Sequence, residues 1–147
     1  MLTIDYLNAS YDIEQFSKVL SVLRTTVLTD QKFGEILRAR LHNGWHTLIA
    51  VEKTFNVKRI VGTAAFHIES KFLGVEENKR LVCHVEDVAV LPEKQKRGVG
   101  WCLMNEIKRK AKDAGCYKII LDCSENNIQF YEKCGFTSHE IEMRLDL

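Results

Sequence analysis

The chain has 147 residues, 46% hydrophobic and 28% charged, a length and balance that suit one globular core and exclude extended disorder. Its 21 basic residues nearly cancel its 20 acidic ones, so no net field gathers nucleic acid or an anionic membrane. No apolar run approaches the ~18 residues of a membrane span, and Met1 to Ser10 lacks the basic-then-apolar pattern of a secretory signal. The expected location is cytoplasmic, with residues 1–147 forming a single domain.

In chain order, Leu2 to Leu7 alternates weakly and predicts a strand. Ser10 or Asp12 can cap a helix, and Asp12 with Gln15 has the spacing of a capping box. Ile13, Phe16, Leu20, Leu23 and Val27 then recur at three- and four-residue intervals, which extends that helical face to Val27. Asp30 can cap a second helix carrying Phe33, Ile36, Leu37 and Leu41, closed by Asn43-Gly44. Thr47 to Glu52 and Arg59 to Ile68 are rich in β-branched residues and flank a turn at Asn56. Lys71 to Lys79, with Gly74, reads as a loop. Leu81-Val-Cys-His-Val-Glu-Asp-Val-Ala-Val90 reads as a long strand with two carboxylates in its middle, ended by Pro92.

Helix and strand then alternate. Val99, Leu103, Met104, Ile107 and Ala111 mark one helical face before Gly115. Cys116 to Cys123 predicts a strand, Asn126 to Lys133 a short helix stopped by Gly135, and Phe136 to Leu145 a last strand. The order β-α-α-β-β-β-α-β-α-β predicts a mixed α/β (α+β) domain, one sheet flanked by helices. The five cysteines, Cys83, Cys102, Cys116, Cys123 and Cys134, are odd in number and show no C-x-x-C spacing. They read as small apolar residues of a reducing compartment, and no metal is expected.

The motif richest in chemistry is Gln95-Lys-Arg-Gly-Val-Gly100, between a strand and an amphipathic helix. A helix N-terminus exposes unpaired N–H groups and partial positive charge, which attract phosphate. Lys96 and Arg97 add charge, and glycines at 98 and 100 let a pyrophosphate approach the backbone. It is neither a Walker A loop nor a Rossmann fingerprint. A plain polar turn before a helix would show the same residues, so the loop alone leaves the choice open.

The strand Val85 to Val90, Pro92 and the QKRGVG loop together resemble the Q/R-x-x-G-x-G/A signature of the GNAT acyltransferase superfamily. The resemblance implies acetyl-coenzyme A as co-substrate. Its pyrophosphate would rest on Lys96, Arg97, Gly98, Val99 and Gly100, and its pantetheine arm along Val88, Ala89 and Val90. His84-Val-Glu-Asp-Val-Ala-Val90, Gly115-Cys-Tyr-Lys-Ile-Ile-Leu-Asp-Cys123 and Asn127-Ile-Gln-Phe-Tyr-Glu-Lys-Cys-Gly-Phe136 are similar to the glucosamine-6-phosphate N-acetyltransferase family. That likeness covers Ile60 to Leu147 well and is thinner before it.

The family likeness implies direct acetyl transfer to the sugar 2-amine, giving N-acetylglucosamine-6-phosphate for UDP-N-acetylglucosamine synthesis. Asp122 would position the amine, although a strand-end cap is the plainer role for it. Tyr131 would donate a proton to the leaving thiolate; an aromatic packing helix on sheet is the alternative. Adjacent Glu86 and Asp87 should face opposite sides of their strand, one addressing the reaction. Asp122, Tyr131 and Asp87 are thus the candidate catalytic residues. Asn126, Phe130 and Lys133 would border the coenzyme. Thr25, Lys71, Phe72, Lys118 and Arg144 would meet the substrate with Glu86, Asp87 and Asp122, a guanidinium suiting phosphate. Where the family has Lys-Phe-Ile-His this chain has Lys71-Phe-Leu-Gly74, leaving that loop to Lys71 and Phe72. The likeness also implies a homodimer sharing the terminal strand. Another small amine or a protein amine, or a catalytically silent coenzyme-binding regulator, are the rival readings.

Overall fold

The computed structural model describes residues Met1–Leu147. A five-stranded sheet keeps its strands in chain order: β1 (Leu2–Tyr6), β2 (Trp45–Thr54), β3 (Val57–Ser70), β4 (Leu81–Val90) and β5 (Lys118–Ile120). The first four pair antiparallel, and β5 runs parallel to β4. The helices are α1 (Ile13–Leu20), α2 (Asp30–His42), α3 (Val99–Asp113) and α4 (Ile128–Lys133).

Side-chain alternation along β3 divides the helices between two faces. A Cβ on Gly62 would meet Val99 and Leu103 of α3, whereas Thr63 lines a cavity with Phe16 of α1 and Phe33 of α2. The central strands are therefore covered on both sides, and Leu48, Ile49, Val61 and Leu103 are at most 1% exposed. Burying each such side chain contributes about 1.5–3 kcal/mol.

Helix α1 begins as its sequence predicts, with Asp12 Oδ1 accepting from the Gln15 N–H at 3.0 Å. Gln15 Oε1 in turn accepts from the Ile60 N–H at 2.9 Å, where β3 carries a bulge against β2. The helix stops at Leu20, well short of Val27. Ser21 Oγ bonds the Ser17 carbonyl at 2.8 Å and takes the Thr26 N–H at 3.0 Å, a side-chain alternative to further helix. Leu23 and Val27 are consequently exposed. Helix α2 is capped by Thr29, one residue before the expected Asp30, and of its apolar residues only Phe33 is buried.

Two expected strands differ. The strand predicted over Cys116 to Cys123 pairs only over three residues, Lys118 to Ile120. The last strand, predicted over Phe136 to Leu145, is absent, and residues 137–147 are exposed. Its alternating pattern is real, but no free edge within the chain receives it.

Gly62 sets the separation between sheet and α3. A methyl there would lie 3.0 Å from Val99 Cγ1 and 3.1 Å from the Ala89 carbonyl oxygen. Gly62→Ala should therefore lower stability by about 1–3 kcal/mol, read as an earlier urea midpoint; an unchanged midpoint would refute this packing argument.

Candidate active site

The site begins with an irregularity in β4. Ala65 pairs with Glu86 and Thr63 with Ala89, so Asp87 and Val88 together oppose Ala64 alone. This is a β-bulge, which bends its strand and re-aims side chains. Asp87 sits at φ +52°, a left-handed conformation that costs a non-glycine residue about 1–2 kcal/mol. The bulge breaks the alternation between Asp87 and Val88, and Glu86 and Asp87 are both exposed. Neither carboxylate therefore carries the desolvation penalty that an apolar strand would impose.

Pairing of β4 with β5 ends at His84 and Ile120, three residues before Asp87 of the bulge. Beyond that point β4 keeps β3 on one side through Val90 but has no strand on the other. Apart from the Val90 carbonyl, which Gln95 holds, no strand pairs the backbone of Glu86 to Val90 on this side, so it can bond a ligand. Asp122 follows β5 by two residues and is exposed, with no ion-pair partner.

At the end of β4 the chain turns through Pro92–Lys94 into the glycine-containing loop. Gln95 Nε2 donates to the Val90 carbonyl at 3.1 Å and ties loop to strand. Lys96 and Gly98 both adopt left-handed conformations, φ +59° and +83°. Gly98 is the N-cap of α3 and offers no side chain. Asp12 and Thr29 cap α1 and α2, whereas the first N–H groups of α3 are left open. Lys96 and Arg97 stand exposed beside them, with no acidic partner. Val99 and Gly100 also serve the packing. Val99 is buried in the core, so only its backbone can meet a ligand. Gly100 also makes room for Phe130: a Cβ there would lie 3.0 Å from Phe130 Cζ.

That contact seats α4 against the loop. Phe130, Tyr131 and Phe136 meet edge to face, with centroids 4.9 and 5.9 Å apart. Burial pushes the Tyr131 phenol up to about 12, with the nearby Cys123 and Cys134 thiols adding to the shift. The group therefore stays protonated at neutral pH and can donate a hydrogen bond. Lys108 Nζ donates to the Cys134 carbonyl at 3.0 Å and fastens the end of α4 to α3; no sequence motif marks it. Asn126 and Lys133 lie exposed on the turn before α4 and at its last position.

The basic candidates lie elsewhere. Lys71 follows β3, and its N–H bonds the Arg80 carbonyl at 2.8 Å. Lys118 opens β5 opposite Val82, with its ammonium 5.4 Å from the Tyr117 ring centre. Both occupy the end of the sheet away from the loop, with the bulge between: Val82 precedes Glu86 by about 13 Å at ~3.3 Å per residue. Phe72 is 98% exposed. Arg144, on the unpaired tail, bonds Asp146 at 2.7 Å and is not brought to the site within one chain.

A cavity of about 210 Å³ lies between α1, α2 and the sheet, next to the bulge. Thr26, Arg40, Thr63 and Asp87 are in its wall. Thr25 is exposed and outside it, whereas its neighbour Thr26 lines it. Arg40 went unmarked by sequence reasoning because it lies in the part of the chain with the weakest motifs.

Residues 11–136 match the profile described as the acetyltransferase (GNAT) family. A glucosamine 6-phosphate N-acetyltransferase of Trypanosoma brucei brucei is 46% identical over 60% of this chain and 58% of its own length. One of Candida albicans is 33% identical over 90% of this chain and 87% of its own. The crystal structure of glucosamine-6-phosphate N-acetyltransferase from Arabidopsis thaliana superposes with a TM-score of 0.86 at 30% identity, covering 99% of this chain and 98% of that one. The open N-terminus of α3 and the free edge of β4 fit a pyrophosphate followed by an amide-bearing arm. By fold, motif and sequence the chain belongs to the GNAT family of acetyltransferases, whose co-substrate is acetyl-coenzyme A.

Proposed function

We propose that this chain transfers acetyl from acetyl-coenzyme A to the 2-amine of glucosamine 6-phosphate, with residues 1–147 acting as one catalytic domain. The observation that carries the reading is spatial order along β4: anion-binding loop, free backbone edge, carboxylate bulge, then basic end. The relatives named above support this acceptor. Product of this kind feeds UDP-N-acetylglucosamine synthesis, and a cytoplasmic site of action suits that role. No helix is long and apolar enough to cross a membrane.

Acetyl-coenzyme A supplies the activated acetyl group as a thioester. Backbone N–H groups of Val99 and Gly100, with Lys96 and Arg97, hold the pyrophosphate end. The edge from Val88 to Val90 aligns the arm, and main-chain N–H groups beside the bulge face the thioester oxygen. Donors fixed in advance toward developing charge give the largest catalytic contribution. Asp122 and Asp87 orient the neutral amine and pass its released proton to solvent. A C–N bond forms as the C–S bond breaks, Tyr131 gives its phenolic proton to the departing sulfur, and the proton released by the amine returns to the phenolate through solvent. Lys71, Phe72 and Lys118 border the sugar phosphate, Glu86 the sugar, and Asn126, Phe130 and Lys133 the coenzyme. Thr26 takes the place first expected for Thr25.

The tail supports a homodimer. Ile141, Met143, Leu145 and Leu147 are each more than 80% exposed and alternate with Glu140, Glu142, Arg144 and Asp146. Such a period-2 segment with no intrachain partner is completed by pairing with a second copy. In that dimer Arg144 exchanges Asp146 for the phosphate bound by the partner chain.

Thiol release should follow mixing of protein, acetyl-coenzyme A and glucosamine 6-phosphate, and be at least about tenfold slower with glucosamine, spermidine or a lysine peptide. Turnover of one of those amines alone would overturn the acceptor assignment. Tyr131→Phe should lower kcat by about 100-fold. A phenol near 12 stays protonated through the working range, so the wild-type kcat profile should show no fall between pH 8 and about 10. A falling limb in that interval that disappears in the Phe variant would contradict the assigned environment. Arg144→Ala should raise KM for the sugar phosphate about tenfold while leaving that for acetyl-coenzyme A unchanged. Light scattering should give a dimer mass; a monomer at micromolar concentration would refute the shared site.

A further inference from the structure

The bulge at Asp87 needs a support that the sheet itself does not supply. Asp87 is the only left-handed non-glycine residue within a strand; Phe55, Asn78 and Lys96 lie in turns or loops. Its carboxylate takes part in no hydrogen bond, and its one ionic neighbour is Arg40 of α2, with Nη2 to Oδ2 at 3.7 Å. The guanidinium is held from the other side. Its Cζ lies 4.8 Å over the Trp45 ring, and Trp45 is stacked on His67 at 5.2 Å and tilted against His84 at 6.1 Å. Arg40 is thereby wedged between an indole fixed by β3 and β4 and the carboxylate at the bend of β4. Its Nη2 is buried and bonded to no acceptor, so a small approach by Asp87 would complete a charge-assisted hydrogen bond. His84 also faces Glu69, at 3.8 Å, and that carboxylate is thus engaged away from Arg40.

We propose that Arg40 is a positioning residue for acetyl transfer, holding the Asp87 carboxylate and with it the bend of β4. The inference rests on the reading of the bulge as the reaction centre. A partly exposed pair of this kind adds little to global stability, about 0–1 kcal/mol, so its consequence is local geometry. Reaction rates respond steeply to such geometry: a misplacement of about 1 Å can cost about 100-fold. Arg40 touches neither the anion-binding loop nor the end of β4, so coenzyme binding does not depend on it.

The test is Arg40→Met, which keeps side-chain length over Trp45 and removes the charge, beside Arg40→Gln and Arg40→Lys. Steady-state kinetics are run with whichever amine the wild type uses best, so a wrong acceptor assignment is seen in the wild type and does not alter this comparison. The Met and Gln variants should lose about tenfold or more in kcat, with KM for acetyl-coenzyme A within about twofold and the melting temperature little changed. Lys should recover part of the loss. In the Asp87→Asn background, Arg40→Met should cause little further loss, since the two groups act as one. Wild-type kcat in both neutral variants would overturn the proposal. So would a matching rise in KM for acetyl-coenzyme A, a full additional loss in the Asp87→Asn background, or failure of both neutral variants to fold.

Discussion

Between Thr63 and Ala65, β3 offers one residue where β4 brings two, and the molecule's working end is arranged around that mismatch. An antiparallel ladder cannot absorb an extra residue without bending, so β4 leaves its regular course at Asp87. The parallel ladder to β5 closes shortly before. What results is a sheet split along one seam, with the backbone of β4 unpaired on the seam side. The same backbone that elsewhere holds the fold together is left available here for a substrate.

The three longer helix starts show a related division of labour. Asp12 and Thr29 turn back to cap α1 and α2, satisfying backbone donors that would otherwise demand water. At α3 the cap is Gly98, which has nothing to turn back. Its partial positive charge is kept open beside Lys96 and Arg97, and Gln95 holds the loop to the end of β4. The Lys94–Glu52 and Arg59–Glu93 pairs fasten the preceding turn to the β2–β3 hairpin. Both carboxyls sit below their usual range, Glu52 chiefly through its bond to Lys94 and Glu93 through its own backbone N–H before Arg59.

Local signals carried much of this into the sequence. The bounds of β4, the start of α3 and the glycine after it were legible because periodicity and turn residues agree there. Longer-range effects were hidden. The apolar spacing that ran α1 on to Val27 lost to the Ser21 hydroxyl. Cys116 to Cys123 has strand composition, yet only three residues find a neighbour because β4 bends away. The tail reads as a strand and has the alternation of one, but its pairing depends on something outside a single chain. Motif residues 86–100 lie on β4, the loop that follows it and the start of α3, whereas 122 follows β5 across the seam and 131 lies in α4. Arg40, Thr26 and Lys108 did not announce themselves, since their importance lies in what tertiary packing sets beside them.

Gly62 touches no candidate ligand group, yet it fixes where one would sit. The absence of a side chain lets Val99 and Leu103 settle against the sheet, and Val99 is the first residue of α3, directly after the open cap. Phe130 presses on Gly100 from the other side, so the helix start is clamped between two missing side chains. Its height above β4 is a thickness defined by hydrogen atoms. The reach from the open helix start to the seam is therefore gauged by a shim in β3, one strand removed from the gap it sets.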